Sequence, residues 1–336
     1  MAIHEIDCNG PGIARVGAGR GFYYRDEDGS RIEDPDVLER IRALVIPPAW
    51  SDVWICSDPE GHIQATGVDA KGRRQYRYHD DWQAKRSRAK HVRMLRFARR
   101  LPHLRETVSA DLRREGMPRE RVLACAVRLL ELGRFRVGGE GYAEENGTFG
   151  LATLQKQHVK VRGATLIFDF EGKGGQRHRC EVADPGVIDV VRTLRRRRAA
   201  PDADLLAYRD DDGAWTDVRS EDINRYLQEN LGDEFSAKDF RTWVATVLAA
   251  VVLADQDTPE TERERSQAIT LVANEVAEHL GNTPAVARSA YIDPRVVERF
   301  EADDTLDGLE EVDDLATLEA EVIQLVERAR WPKTSD

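Results

Sequence analysis

Cysteine is scarce in this chain, with four among 336 residues. Cys8, Cys56, Cys125 and Cys180 stand far apart and form no CxxC pair. That spacing argues against a disulfide scaffold or a zinc site and favours a reducing compartment. Long apolar runs are missing too. The longest, Trp243 to Ala254, is shorter than the ~20 residues that cross a bilayer and reads as a buried helix. The N-terminus has no basic segment followed by an apolar one, so no export signal is read there. No residue cluster has the spacing of metal ligands, and Gly172-Lys-Gly-Gly175 lacks the spacing of a phosphate-binding P-loop. The expectation is a cytoplasmic protein without membrane contact and without metal or other cofactor.

What is abundant is charge, at 33% of residues against 41% hydrophobic. This is a globular composition, and the length calls for two domains. The formal net charge is −11. From Glu301 to Asp336 there are 12 acids and 3 bases, so this tail carries −9 and the rest only −2. Lys71 to Arg100 runs the other way, with 12 Lys/Arg and only Asp80 and Asp81 against them. A basic stripe matters for an anionic partner even when the whole chain is acidic. A bare charge run is usually a solvated helix face. This one also holds Gln75, Tyr76, Tyr78, His79 and Trp82, groups suited to phosphates and base edges.

Residues 1–80 read mainly as strands and turns, with one helix from about Pro35 to Leu44. Asp81 to Arg100 reads as a helix leading into a larger, mainly helical part. There, Pro118 to Leu132 shows a helical apolar stripe. His158 to Val182 is a strand-rich island with a glycine-rich hairpin tip at Glu171-Gly-Lys-Gly-Gly175. Ser236-Ala-Lys-Asp239 is a capping box before a helix expected to bury Phe240, Val244, Val247, Leu248, Val251 and Val252. A helix from Glu262 to Leu280 stops at Gly281, and Thr283-Pro284 opens a short one that Asp293-Pro294 ends. Leu309 to Leu325 in the acidic tail has helical spacing.

Four motifs could carry chemistry: Phe135-Arg-Val-Gly138, Phe170-Glu-Gly-Lys-Gly174, Lys238-Asp-Phe-Arg-Thr242, and Leu280-Gly-Asn-Thr-Pro284 with Ser289-Ala-Tyr-Ile-Asp-Pro294. Singly, each has an ordinary explanation: a paired arginine, a solvated lysine, a packing tyrosine. Together, in this order, they resemble the type IB DNA topoisomerases, the poxviral and bacterial branch in particular. The resemblance extends to Ile46-Pro-Pro-Ala-Trp50, Asp52-Val-Trp-Ile55, Gly61-His-Ile-Gln-Ala-Thr-Gly67, Gly150-Leu-Ala-Thr-Leu154 and the long block from Asp69 to His79.

The resemblance implies an α+β chain: a small β-rich N-terminal domain (1–90) and a larger, mainly helical catalytic domain (91–336) of the tyrosine recombinase and topoisomerase IB kind, forming a clamp. It implies Tyr291 as nucleophile, Arg136 and Arg241 on the non-bridging phosphate oxygens, and Lys173 as general acid. Asn282 stands where poxviral and eukaryotic enzymes carry histidine. It can donate a neutral hydrogen bond but cannot become cationic. Lys71, Arg73, Arg74, Gln75, Tyr76 and Tyr78 are the expected DNA contacts of the small domain, and Tyr142 that of the large one. The expected partner is double-stranded DNA, bound by a monomer at the nucleoid. A tyrosine recombinase is the first rival reading. It usually has HxxR where this chain has Lys238-Asp-Phe-Arg241. A non-catalytic DNA-binding protein is the second, and it would have no need of all four chemical residues.

If the stripe binds phosphates, alanine at Lys71, Arg73 or Arg74 should weaken binding equally on unrelated duplexes. The slope of log affinity against log salt should fall by roughly one unit per lost contact. Titrations of labelled duplex at several salt concentrations measure this, and an unchanged slope would place these side chains away from DNA.

Overall fold

Short runs of β-branched and aromatic residues, cut by Asp, Pro and Gly, build an antiparallel sheet from the N-terminal residues. The computed structural model describes residues 3–19, 21–133, 135–139, 147–256, 259–306 and 314–331. The strands are β1 (Ile13–Ala18), β2 (Gly21–Arg25), β3 (Ser51–Ile55), β4 (Ile63–Val68) and β5 (Arg74–Tyr78), in the order β2-β1-β3-β4-β5. Helix α1 (Pro35–Ala43) starts where the Asp34 carboxylate accepts from the Asp36 amide at 2.9 Å and Pro35 takes the first helical position. It buries Ile41 against Ile13, Val53, Ile55 and Ala65.

The β4–β5 turn is tied by one carboxylate. Asp69 accepts from the amides of Lys71 (2.9 Å) and Arg73 (3.0 Å), from the Arg73 guanidinium (2.9 and 2.7 Å) and from the Gln75 amide (2.9 Å). Its bonds to Arg73, first of all, hold its pKa at about 2. Strand alternation then sends Arg74 and Tyr76 to one face of β5 and Gln75 and Arg77 to the other. Tyr76 and Tyr78 stack with centroids 6.0 Å apart.

A second compact unit begins at His91; the boundary falls inside α2 (Asp80–Leu112). This helix outruns the expected end at Arg100 and contains Pro102. Its apolar stripe continues past the proline through Leu104, Val108 and Leu112, all buried. That burial offsets the lost backbone bond, a cost of about 3 kcal/mol. Next come α3 (Arg119–Gly133) and a three-stranded antiparallel sheet of β6 (Val159–Arg162), β7 (Thr165–Gly172) and β8 (Gln176–Val182). They are followed by α4 (Pro185–Arg196), the small pair β9 (Ala207–Arg209) and β10 (Trp215–Asp217), and α5 (Ser220–Leu231). The remaining helices are α6 (Ala237–Ala254), α7 (Glu262–Leu280), α8 (Pro284–Ala290), α9 (Pro294–Glu301) and α10 (Leu315–Arg328). The chain is thus a mixed α/β protein with an N-terminal sheet and a helical region. No helix among the described residues is long and apolar enough to cross a membrane.

One expectation is corrected. Helix α6 does not bury a single stripe. Ala237, Asp239, Arg241, Thr242, Trp243, Ala245, Thr246, Ala249 and Ala250 are all buried, while Val244, Leu248, Val251 and Val252 are only partly so. The helix lies among α3, α5, α7, α9 and α10, so nearly its whole circumference meets protein. In the acidic tail the helix starts at Leu315, capped by Asp314, whose carboxylate accepts from the Thr317 amide at 2.9 Å. Residues 307–313 lie outside the described ones.

Among the described residues, several of the stripe's cations meet carboxylates of their own unit: Arg73 on Asp69, Arg77 on Asp80, Arg93 on Asp239, Arg96 on Glu234 and Arg99 on Glu327. The stripe is partly a set of struts. Deeper in, Asp293 caps α9 by accepting from the Arg295 amide at 3.0 Å and takes the Arg295 guanidinium at 3.1 and 2.8 Å. Arg295 also donates to the His91 carbonyl at 3.2 Å, and His91 Nδ1 lies 3.5 Å from Asp293. All three residues are buried. Asp293→Ala would leave Arg295 as an unpaired buried charge. It should lower the unfolding free energy by about 3–5 kcal/mol. Urea unfolding followed by far-UV circular dichroism checks this; a loss below ~1 kcal/mol would show that the cluster is not what holds α9.

Candidate active site

The site is organised by the end of one helix. Gly281 takes φ 60°, ψ 53° and stops α7. This left-handed conformation favours glycine. The carbonyls of a helix C-terminus have no partner within the helix and carry its negative dipole end. Here two arginines take them up. Arg241 on α6 donates to the Leu280 carbonyl at 2.6 Å, and Arg136 donates to the Gly281 carbonyl at 3.0 Å. Arg136 also donates to Asn282 Oδ1 at 2.6 Å. Arginine has no acceptor, so this bond fixes which end of the Asn282 amide faces it. The amide nitrogen of Asn282 then points away, buried and without a hydrogen-bond partner among the described residues.

Arg136 is placed by backbone contacts. Its carbonyl accepts from the Leu151 amide at 2.8 Å, and Val137 accepts from Ala152 at 2.8 Å. This close approach requires glycine on both sides. A Cβ on Gly150 would meet the Gly138 Cα at 2.3 Å, and Gly138 itself has φ 83°. Tyr291 follows α8, whose first turn is capped by Thr283 and opened by Pro284. The Tyr291 amide donates to the Ala287 carbonyl at 3.0 Å, and Asp293 anchors the chain two residues on. The Arg241 guanidinium lies 5.6 Å from the Tyr291 ring centroid. Burial, then the nearby charge of Arg136, lowers the Arg241 pKa from its ordinary value, while Tyr291 acts in the opposite direction. An arginine still stays protonated at any physiological pH.

Lys173 sits at the exposed β7–β8 hairpin tip, where Gly174 and Gly175 have φ 79° and 74°. The base of the tip is tied down by the Phe149 amide, which donates to the Glu171 carbonyl at 2.8 Å. Arg136, Lys173, Arg241 and Tyr291 all line one cleft of about 310 Å³. Asn282 joins them through Arg136. Tyr142 lies outside the described residues. Lys71, Arg73, Arg74, Gln75, Tyr76 and Tyr78 belong to the first unit, on and beside β5. Among them, Arg73 and Gln75 are engaged by Asp69, while Arg74 donates to Asn9 Oδ1 at 3.2 Å.

Two polar side chains of the cleft have no role assigned from the sequence, Lys238 and Thr148. Lys238 is exposed on the first turn of α6, one turn before Arg241. Its place in the Lys-Asp-Phe-Arg motif was the only available signal. Thr148 has a buried hydroxyl without a hydrogen-bond partner among the described residues. It belongs to no motif, so nothing in the sequence distinguished it. A cleft with two guanidiniums, two ammoniums and a phenol suits an anion with several oxygens, and a phenol can act as a nucleophile.

The comparisons with known proteins agree on one family. Residues 79–310 match the family described as eukaryotic DNA topoisomerase I, catalytic core, and residues 21–69 match the bacterial DNA topoisomerase IB N-terminal domain. The chain is 33% identical over 289 residues to DNA topoisomerase 1B of Acanthamoeba polyphaga mimivirus, covering 84% of this chain and 85% of that protein. It is 23% identical over 285 residues to DNA topoisomerase I of Monkeypox virus, covering 82% and 85%. It is also 29% identical over 154 residues to DNA topoisomerase 1 of Candidozyma auris, covering 44% of this chain and 19% of that protein. On a match that takes in most of its length, together with the bacterial N-terminal domain, the chain belongs to the type IB DNA topoisomerase family.

Proposed function

We propose that the chain relaxes positive and negative DNA supercoils by cutting one strand, allowing rotation and resealing the break without ATP. The Tyr291 phenolic oxygen attacks the phosphorus in line, forms a 3′-phosphotyrosine and expels the 5′-oxygen. Lys173 gives that oxygen its proton, and the tyrosine's own proton leaves to solvent. Arg136 and Arg241 hold the non-bridging oxygens as charge builds up, with forks that match phosphate geometry. Asn282 adds a neutral donor. Resealing is the same step reversed, with the 5′-hydroxyl attacking the phosphotyrosine, so no external energy is consumed. The observation that carries this reading is the convergence of four residues from four separate elements on one cleft.

Around that site we place a clamp made of the two units, with a catalytic unit of the tyrosine recombinase kind. It acts as a monomer on duplex DNA at the bacterial nucleoid. The DNA contacts of the first unit are Lys71, Arg73, Arg74, Gln75, Tyr76 and Tyr78, with Tyr142 from the second. Lys238 in place of the usual recombinase histidine speaks against recombination as the main activity.

Tyr291→Phe should keep DNA affinity, since one hydroxyl is lost, and should show neither plasmid relaxation nor protein-linked DNA. Covalent adduct on this variant, or an adduct peptide mapping to another tyrosine, would remove Tyr291 as the nucleophile.

Lys173→Ala should slow single-turnover cleavage at saturating enzyme by roughly 10²–10⁴-fold. Sulfur in place of the bridging 5′-oxygen should restore much of that rate, because a thiolate leaves without a proton. Arg136→Ala and Arg241→Ala should gain less from the sulfur. Equal rescue of all three, or none for Lys173→Ala, would refute the proton-donor role.

A further inference from the structure

The acidic C-terminal segment reaches the helix that carries Arg241. On α10, Glu319 is buried at 7% exposure. Its carboxylate takes the Arg105 guanidinium from α2 at 2.6 and 2.9 Å and the Trp243 indole N–H from α6 at 2.9 Å. Arg105 is shared with Glu131 of α3 at 2.6 Å. Burial works against the Arg105 charge, but the two carboxylates outweigh it and raise its pKa. A single acid of α10 therefore bonds to two other helices at one buried point, α2 through Arg105 and α6 through Trp243, and Arg105 in turn links to α3 through Glu131.

Trp243 is two residues beyond Arg241, and two residues turn a helix by about 200°. The indole and the guanidinium therefore leave α6 on roughly opposite sides. Trp243 is 2% exposed and is the largest fully buried side chain among the described residues, so the helix cannot rotate without moving it. Rotation of α6 by about 10° would carry a group ~6 Å from the axis by about 1 Å. An error of that size is enough to cost about 10²-fold in a positioned reaction. At the start of the helix, the Asp239 carboxylate is held by Arg93 at 2.7 Å and accepts from the Ser236 amide at 2.8 Å, which fixes its first turn. The anchor on the far side is Glu319.

We infer that Glu319 is a positioning residue of phosphoryl transfer, acting through Trp243 to hold Arg241 at the angle the phosphate requires. This rests on the reading of Arg241 as a transition-state contact. The carboxylate never touches substrate. Its effect is to keep the rotation of α6 fixed against the end of α7. The C-terminal helix is then part of the catalytic unit's working geometry.

The test is single-turnover cleavage of a pre-bound suicide duplex by the full chain, measured in two backgrounds. Glu319→Ala leaves Arg105 paired with Glu131, so the unit retains a partner for that charge. With Arg241 present, Glu319→Ala should slow cleavage about ten- to hundredfold, with DNA affinity within about twofold. In the Arg241→Ala background the same change should slow it less than about twofold, because there is no guanidinium left to misplace. Trp243→Phe keeps the Glu319–Arg105 pair and removes the indole bond together with part of the buried ring volume. It should show a smaller loss that also vanishes without Arg241, and it serves alone if Glu319→Ala does not fold. The same fold-loss in both backgrounds, or no loss from either variant with Arg241 present, overturns the inference. If Arg241→Ala by itself leaves cleavage unchanged, the reading of Arg241 fails first, which is a separate outcome.

Discussion

Two guanidiniums bound to the end of one helix are the constraint on which the site depends. Gly281 stops α7 and frees its last carbonyls, and Arg241 and Arg136 occupy two of them. Each contact does two things. It satisfies a carbonyl that a helix end leaves open, and it brings a cation from a distant stretch of chain to the place where Asn282 and the tyrosine helix begin. An arginine has five N–H donors, and the proposed phosphate contact calls on donors beyond those given to the helix end. The scaffold thus fixes the two cations at one helix end, and on the proposed reading of these residues that preorganisation is what would stabilise the transition state.

Around this point the chain uses buried ion pairs where a simpler core would use hydrocarbon. Asp293 with Arg295 and His91 holds the backbone just beyond Tyr291, and Arg105 with Glu131 and Glu319 joins three helices. Such pairs add little net stability over apolar replacements but are costly to break singly. Their geometry is directional, which a hydrophobic contact is not. Arg93 of the stripe, paired with the buried Asp239, serves the same purpose, while Arg96 and Arg99 meet carboxylates at the surface, so the charge of Lys71–Arg100 is partly met within the chain.

Much of the fold was legible because local chemistry was strong. The Asp34-Pro35 start of α1, the Gly281 stop of α7, the Thr283-Pro284 start of α8 and the hairpin around Lys173 are all dictated by residues within a few positions of each other. Elements with weaker signals were not anticipated. Helices α4 and α5 received no assignment, although Asp184-Pro185 caps the first of them. Helix α2 ran on through Pro102 because tertiary burial outweighed a local breaker. Asp293-Pro294, read as an end, is also the start of α9, since the same pair closes one helix and caps the next.

The sequence alone determined the family and the candidate chemical residues. Tyr291, Arg136, Lys173 and Arg241 stand in motifs whose spacing is local and whose side chains are chemically distinctive. It also determined where the helix that supports them must stop, because the left-handed turn favours a residue without a Cβ. Only the tertiary structure decided which atoms meet. Residues 136 and 282 are 146 positions apart, and no periodicity predicts that one will orient the amide of the other. The close contact of Gly138 with Gly150, the bond between Trp243 and Glu319 and the buried hydroxyl of Thr148 are of the same kind. Local propensity acts over one turn of helix or one strand pair, whereas a site built from five elements is set by packing over the whole unit.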